Sequence, residues 1–478
     1  MTVALVSMLR AIALSSVVSL AMAKSACAET ITKNVVIIGG GASGAHAAVR
    51  LREDFDKSVI VIEKKSHLGG HVATYTDTSG KTYEYGVQSY LEVGEAVDFF
   101  ARFNITVGVP ARIPLTSVYA DFSTGQNISD YVAPLAADRS AALRRFLAAA
   151  EPYESMLLPG YWDFPAPEDI PEDLLLPFGE FAQKYDLLAA MPQMFQVPGP
   201  GVPDWVDAPT LHVMQVFGAP MARALTGAAP TFTPTGEDNS ELYRRITALL
   251  GEDVLFSSTV TKAERNGDGV KLTVTGADGK KTKIVGDRLL ISFEPTPDAM
   301  APFDLDEAES AVFEKFTHSK VFAGIVKHPS LPANISIVNT VPTAAPDNYL
   351  SFPEAPILAR FDYMGAPSDL FRVLIVGDDT LDVDGAQKLV RDSLSALLEA
   401  GTIADGDIDD LVFAAFVDHG PMHLRAGLED IKGGFIQEQY ALQGHRSTWY
   451  TGAAWSVQFT TLLWAYNDVL LPKLLESL

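Results

Sequence analysis

Residues 35–51 read VVIIGGGASGAHAAVRL, and the glycines in that run are the first sign of chemistry. Four apolar residues, Val35 to Ile38, lead into Gly39, Gly40, Gly41, Ala42, Ser43 and Gly44, and an Ala-rich stretch of helical character follows. That order predicts strand, tight turn, helix. Gly39 permits the turn off the strand, Gly41 lets the backbone come close to a pyrophosphate, and Gly44 lets the helix lie against the strand. Phosphate charge would then rest on the free backbone N–H groups of this turn, Ser43 included, at the positive end of the helix dipole. Lys57 to Ile62, KSVIVI, reads as a second buried strand with Glu63 at its end, 19 residues after Gly44. An acid at that spacing accepts hydrogen bonds from the ribose hydroxyls of an adenosine. Glycines and acid together predict a dinucleotide site.

Residues 64–90, KKSHLGGHVATYTDTSGKTYEYGVQSY, add a second glycine pair, Gly69 and Gly70, then a short strand and a hairpin turn at Ser79 and Gly80. A nicotinamide dehydrogenase has no need of these. The stretch resembles the flavin-containing amine oxidase superfamily, which implies FAD as the dinucleotide. In that family the glycine pair lines the FAD pyrophosphate and ribityl chain. Glu84-Tyr85-Gly86 resembles the acid-x-Gly step that brings backbone beside the isoalloxazine ring. His71 stands where relatives commonly carry arginine, and it reads equally as a flavin contact or a surface histidine.

Two later stretches fit the same resemblance. Residues 239–296 contain a helical stretch, several strand signals and a buried strand RLLISF, with Val260 matching the residue whose backbone meets the adenine. Residues 449–471, WYTGAAWSVQFTTLLWAYNDVLL, resemble the last FAD segment, in which a helix aims its N-terminus at the flavin from about Phe459 onward. Gly452, Ala453 and Ala454 occupy positions where many relatives have an acid. Within the superfamily, GGHVATYTD, EYGVQSY and TGAAWSVQFTTLLW are similar to the fungal β-cyclopiazonate dehydrogenase-like group. The implied fold is α/β: a Rossmann-type FAD-binding domain assembled from residues 29–110, 233–300 and 431–478, and an α+β substrate-binding domain from 111–232 and 301–430.

The resemblance also implies oxidation of a small organic molecule, a specialised metabolite with an amine or activated C–H bond, by hydride transfer to flavin N5. Electrons would leave to O2 or another acceptor. A redox-neutral double-bond isomerase of an unsaturated lipid and a non-catalytic FAD carrier remain open alternatives. Many relatives place a lysine near N5; Lys320, ahead of Lys327, is the candidate here, and a plain surface lysine is the alternative reading for both. His419 and His423, in FVDHGPMHL, read as acid/base groups in a loop. Trp455, with Trp449 and Tyr450, could form an aromatic cage, while Trp464 suits the core. The His-x3-His spacing also suggests a metal, but Gly420 and Pro421 oppose a helix there and no third ligand is evident, so no metal is expected.

At 478 residues the chain has room for two domains with substantial cores. Residues 151–210 hold 11 of the 29 prolines, yet their many aromatics favour burial over a disordered linker. The net charge of −24 argues against nucleic acid and anionic membrane surfaces as partners. Residues 1–28 resemble a removable secretory leader: Arg10, the apolar run Ala11 to Ala23, and the small-x-small sequence Ala26-Cys27-Ala28. The run is too short for a stable membrane span. Cleavage would remove the chain's one cysteine, Cys27. Sequons at Asn104, Asn127 and Asn334 are compatible with a eukaryotic secretory route, and bacterial export is the alternative. Oligomeric state is not legible.

Overall fold

The computed structural model describes residues 30–196, 202 and 204–478. The expected leader and Cys27 lie outside them. VVII at 35–38 and VIVI at 59–62 are continuous apolar runs, which suits strands covered on both faces. All eight residues are buried. The strand Thr30–Ile38 is central to a seven-stranded sheet, parallel to Val59–Ile62 on one side and to Lys281–Ile291 on the other. Val254–Leu255 extends one side in parallel, and the antiparallel strands Gly269–Gly276 and Ser258–Asn266 extend the other. The 11-residue strand Lys281–Ile291 is long enough to have two neighbours on one edge. Gly269–Gly276 pairs with its first half, and Thr448–Tyr450 pairs in parallel with Leu289 to Ile291. The carboxyl ends of four strands, at Ile38, Ile62, Ile291 and Tyr450, therefore meet at one rim, where open α/β sheets bind ligands.

Two helices close that rim. Ala42–Val49 follows the first strand, and the C-terminal helix Thr460–Glu476 lies against it. Asn467 explains why a polar residue sits inside an apolar helix. Its Nδ2 donates to Ser43 O at 2.8 Å, and its Oδ1 accepts from Thr451 Oγ1 at 2.7 Å. One buried amide thus ties the glycine turn to the segment entering the last helix.

A second sheet has six strands in the order Val412–Arg425, Thr317–Lys327, Phe371–Gly377, Ile357–Tyr363, Ile335–Asn339 and Thr116–Ala120. The helix Val383–Glu399 covers one face through Ala386, Val390, Leu394 and Leu397, packed with Phe322 and Phe361. The proline-rich stretch folds into short helices, with Tyr161, Phe178 and Phe181 buried. His419 and His423 are not in a loop, as the Gly-Pro pair suggested. They belong to the edge strand Val412–Arg425, which accommodates Pro421 through bulges. Among the described residues no helix is long and apolar enough to cross a membrane.

Candidate active site

The glycine turn is a clasp. Gly39, at φ +99°, turns the chain off its strand, and its N–H donates to Ile62 O at 2.8 Å. A Cβ on Gly44 would sit 2.0 Å from Gly39 O, so only glycine lets this helix begin so near the strand. The second glycine pair closes from the other side. Gly69 N–H donates to Gly40 O at 2.9 Å, and a Cβ on Gly70 would lie 2.8 Å from Gly41 Cα. Glu63 is buried beneath: one oxygen accepts from Gly40 N–H at 2.6 Å and the other from Lys65 N–H at 2.7 Å. Two backbone donors fix the carboxylate and leave it acceptor capacity for hydroxyls.

Lys65 reaches the same turn and was passed over in motif reading, although a base two residues after Glu63 was a visible signal. Its ammonium donates to Gly70 O at 3.0 Å. Burial lowers its pKa, and Glu63 opposes the shift. Val260 is buried on the strand that starts where Ser258 N–H donates to Glu63 O at 3.0 Å. Gly86 lies against the second clasp: a Cβ there would meet His71 O at 2.1 Å. Tyr85 packs beside Ile325 of the six-stranded sheet.

At the rim, Ser292 follows Ile291, and its Oγ lies 2.8 Å from both Ile38 O and Gly39 O. Gly452, at φ +114°, follows Thr451, whose N–H donates to Ile291 O at 2.8 Å. Ala453 continues into a turn of 3-10 helix, and Phe459 is the N-cap of the last helix, packed with Leu91 and Leu462. Glu294, two residues past Ser292, reaches this same segment. Burial raises its carboxyl to about 8, against hydrogen bonds from Gln458 and the Ala454 N–H that favour the ionised form. The Gly452 segment carries no acid, but a neighbouring strand brings one to it.

The histidines meet across the two sheets. His71 Nε2 lies 3.1 Å from His419 O, and the two rings are 4.9 Å apart. Burial, with Lys65 nearby, holds His71 at about 4. The bulges in the edge strand set these positions. Lys320 and Phe322 pair with Pro421 and Asp418, and Thr317 and Ser319 with Arg425 and Met422, so the edge strand has an extra residue in each interval. His423, at φ +56°, is buried, and burial with Arg425 beside it holds it at about 3. Burial also drives His419 well below its usual range. Nδ1 of each is buried without a partner among the described residues. His423 and Arg425 then line a cavity with His212 and Gln215 of the helix Thr210–Val216 and with Ala453, Ser456 and Gln458.

Two expected catalytic groups are elsewhere. Lys320 shares a sheet face with Phe322, under the helix Val383–Glu399, and donates to Leu381 O at 3.1 Å. Strand alternation turns it away from the rim, while Val321 faces the larger core. Trp455 is 1 % exposed and stacked on Tyr450 at 4.9 Å, so it is core rather than cage. Trp464 is also buried, stacked on His46 at 5.4 Å.

Ser43 Oγ and Glu294 Oε2 are buried at this rim without partners among the described residues. Orphaned polar atoms beside two glycine turns too tight for side chains fit a polar ligand lying across the strand ends. An acid, Glu63, and a base, Lys65, at this glycine turn are the kinds of group that adenosine and diphosphate call for.

Comparison with known proteins agrees. The model of the NAD(P)-binding Rossmann-like domain matches residues 37–103. β-Cyclopiazonate dehydrogenase of Aspergillus flavus is 32 % identical over 470 residues, covering 98 % of each chain. The FAD-dependent oxidoreductase oblC of Cochliobolus heterostrophus is 32 % identical, covering 94 % of this chain and 92 % of the relative. Among solved structures, the fold is that of a fatty acid isomerase from P. acnes (TM-score 0.70, 17 % identity, 92 % and 98 % covered). It is also that of putrescine oxidase bound to putrescine (TM-score 0.63, 14 % identity, 94 % and 100 % covered). With 94–98 % of the chain aligned to these relatives at 32 % identity, this protein belongs to the family of FAD-dependent oxidoreductases that includes the β-cyclopiazonate dehydrogenases.

Proposed function

We propose that the chain dehydrogenates a small organic molecule of specialised metabolism, bound where the helix Thr210–Val216 and the strand Val412–Arg425 meet around a small cavity. The position of that cavity carries the reading: Ala453, Ser456 and Gln458 of the last cofactor segment form one wall, and His423 and Arg425 form another. Gly39 to Gly44, Glu63, Lys65, Gly69, Gly70 and Glu294 are the residues that would hold FAD. When bound, FAD supplies the hydride acceptor and the route for electrons to O2 or another acceptor. The protein supplies position and polarity. Glu294, raised to about 8 by burial, keeps its proton at neutral pH, and its buried Oε2 is without a partner among the described residues. His423, held near 3, stays neutral across the working range, so it orients a substrate by hydrogen bonding and is too weak a base to carry the proton away.

The test is an absorbance spectrum of purified protein, followed by anaerobic mixing with candidate substrates. A flavin band that bleaches, with product lighter by two hydrogens, is the expected result. Product of unchanged mass would mean isomerisation, and no band even after added FAD would overturn the reading. We also infer export through a secretory route, supported by the exposure of all three sequon asparagines, Asn104, Asn127 and Asn334. Glycosidase treatment of protein made in a fungal host should lower its mass. An unchanged mass would remove that support.

A further inference from the structure

Arg425 is a guanidinium taken most of the way out of water and left half paired. Its side chain is 15 % exposed. It donates to His423 O at 3.2 Å and reaches Ser319 Oγ only at 3.5 Å. The carboxylate beside it among the described residues is Asp204, at 3.5 Å and itself 66 % exposed. A water-exposed carboxylate at that distance offsets little of the cost of burying a cation. The fork of five donors is therefore only partly spent, and it lines the cavity at the proposed substrate site.

The other cavity groups do not neutralise it. Burial lowers both His212 and His423, which keeps them uncharged. His212 is held by Gln215 at 3.1 Å and by Ala426 O at 2.9 Å. Gln215, Ser456 and Gln458 are polar and neutral. Glu294, hydrogen-bonded to Gln458, holds a proton rather than a charge at neutral pH. A cavity with one incompletely paired cation and neutral donors favours an anion and repels an ammonium ion.

We propose that the substrate is an organic anion, a carboxylate, enolate or phenolate, whose charged oxygen is received by Arg425. The proposal rests on the assignment of this cavity to a flavoenzyme's substrate. It sets the chain apart from putrescine oxidase, named for a diamine, with which it shares only the fold.

The experiment uses the holoenzyme and three ring compounds of one shape: benzoate, benzamide and benzylamine. Perturbation of the flavin absorbance reports binding next to the ring. Benzoate should bind at least about tenfold more tightly than the other two, and Arg425→Met should remove that preference. Arg425→Lys, which keeps the charge but loses the fork, should restore part of it. Benzoate binding that is absent, no tighter than benzamide, or unchanged in Arg425→Met would overturn the proposal while leaving the flavoenzyme reading in place. A holoenzyme that cannot be formed at all would instead sink the flavoenzyme reading and the proposal with it. The ranking of the three probes on the unmutated protein decides the matter even if the variants fail to fold.

Discussion

Arg265 and Arg425 are both removed from water, and the chain treats them differently. Arg265, with a side chain 0 % exposed, has its fork filled: Glu309 accepts at 2.6 and 2.8 Å, Asp304 at 3.0 Å and Thr448 Oγ1 at 3.2 Å. Glu309 is saturated in turn, by Tyr450 OH at 2.7 Å, Arg446 at 3.3 Å and the N–H of Asp306 at 3.2 Å. This network ties the strand Ser258–Asn266 to the segment that leads into Gly452. Around Arg425 the partners are few and long. A saturated polar network can serve architecture, whereas an unsaturated one at a cavity leaves capacity for a ligand.

Breaking the saturated network should produce the largest effect. Arg265→Met strands the buried Glu309 charge, and the expected loss is about 3 kcal/mol or more of unfolding free energy, Arg446 softening it somewhat. Denaturant unfolding measures this. Adding Glu309→Leu should recover part of the loss, because removing both charges is cheaper than removing one. Arg425→Met should stay within about 1 kcal/mol of the parent, since its ion pair is long and exposed. Equal costs at the two sites would erase the distinction drawn between them.

A second break lies in the glycine clasp. Gly44→Ala places a methyl carbon 2.0 Å from Gly39 O, so the helix must shift away from the turn that Ser292 also contacts. FAD affinity should fall by about 100-fold, while global stability drops by no more than about 1–3 kcal/mol. Flavin fluorescence titration of refolded apoprotein separates the two. Undiminished affinity would mean that the turn does not hold the diphosphate.

These sites also show what could be read in advance. The first strand, the clasp, Glu63 and the helix after Phe459 are local: each follows from residue types within a few positions, and the structure places them together at one rim. Lys320 failed because the face a strand residue occupies is set by its sheet: regular pairing with Phe371–Gly377 puts it on the side of Phe322, under the helix Val383–Glu399. His419 and His423 were read as loop residues because Gly420-Pro421 punctuates a chain locally, whereas a sheet edge tolerates it. Trp455 has the composition of a cage and the packing of a core. Glu294 and Arg425 carry no motif. Each matters through segments far away in sequence, Ala454 for one and Ser319 for the other.

The smallest effect expected is a dependence on pH. Glu294 is protonated in the folded chain up to about 8, whereas an unfolded glutamate ionises near its ordinary 4.5. Below that value both states hold the proton, the group's contribution is fully present, and it does not vary with pH. Between the two values the folded state binds more protons than the unfolded one, so stability contributed at low pH is lost as pH rises toward 8. Glu84, raised to about 7 by burial, adds a loss of the same sign in an overlapping window. Comparing Glu294→Gln with the parent isolates the first group. The two apoproteins should be equally stable near pH 4, and the variant should gain steadily on the parent as pH rises toward 8. FAD binding should survive this substitution, because glutamine keeps a donor where Oε2 lies, and should weaken about tenfold in Glu294→Ala. A constant difference in stability from pH 4 to 8 would show that Glu294 ionises normally. Its role at the rim would then be that of a fixed negative charge beside Gln458 and Ala454.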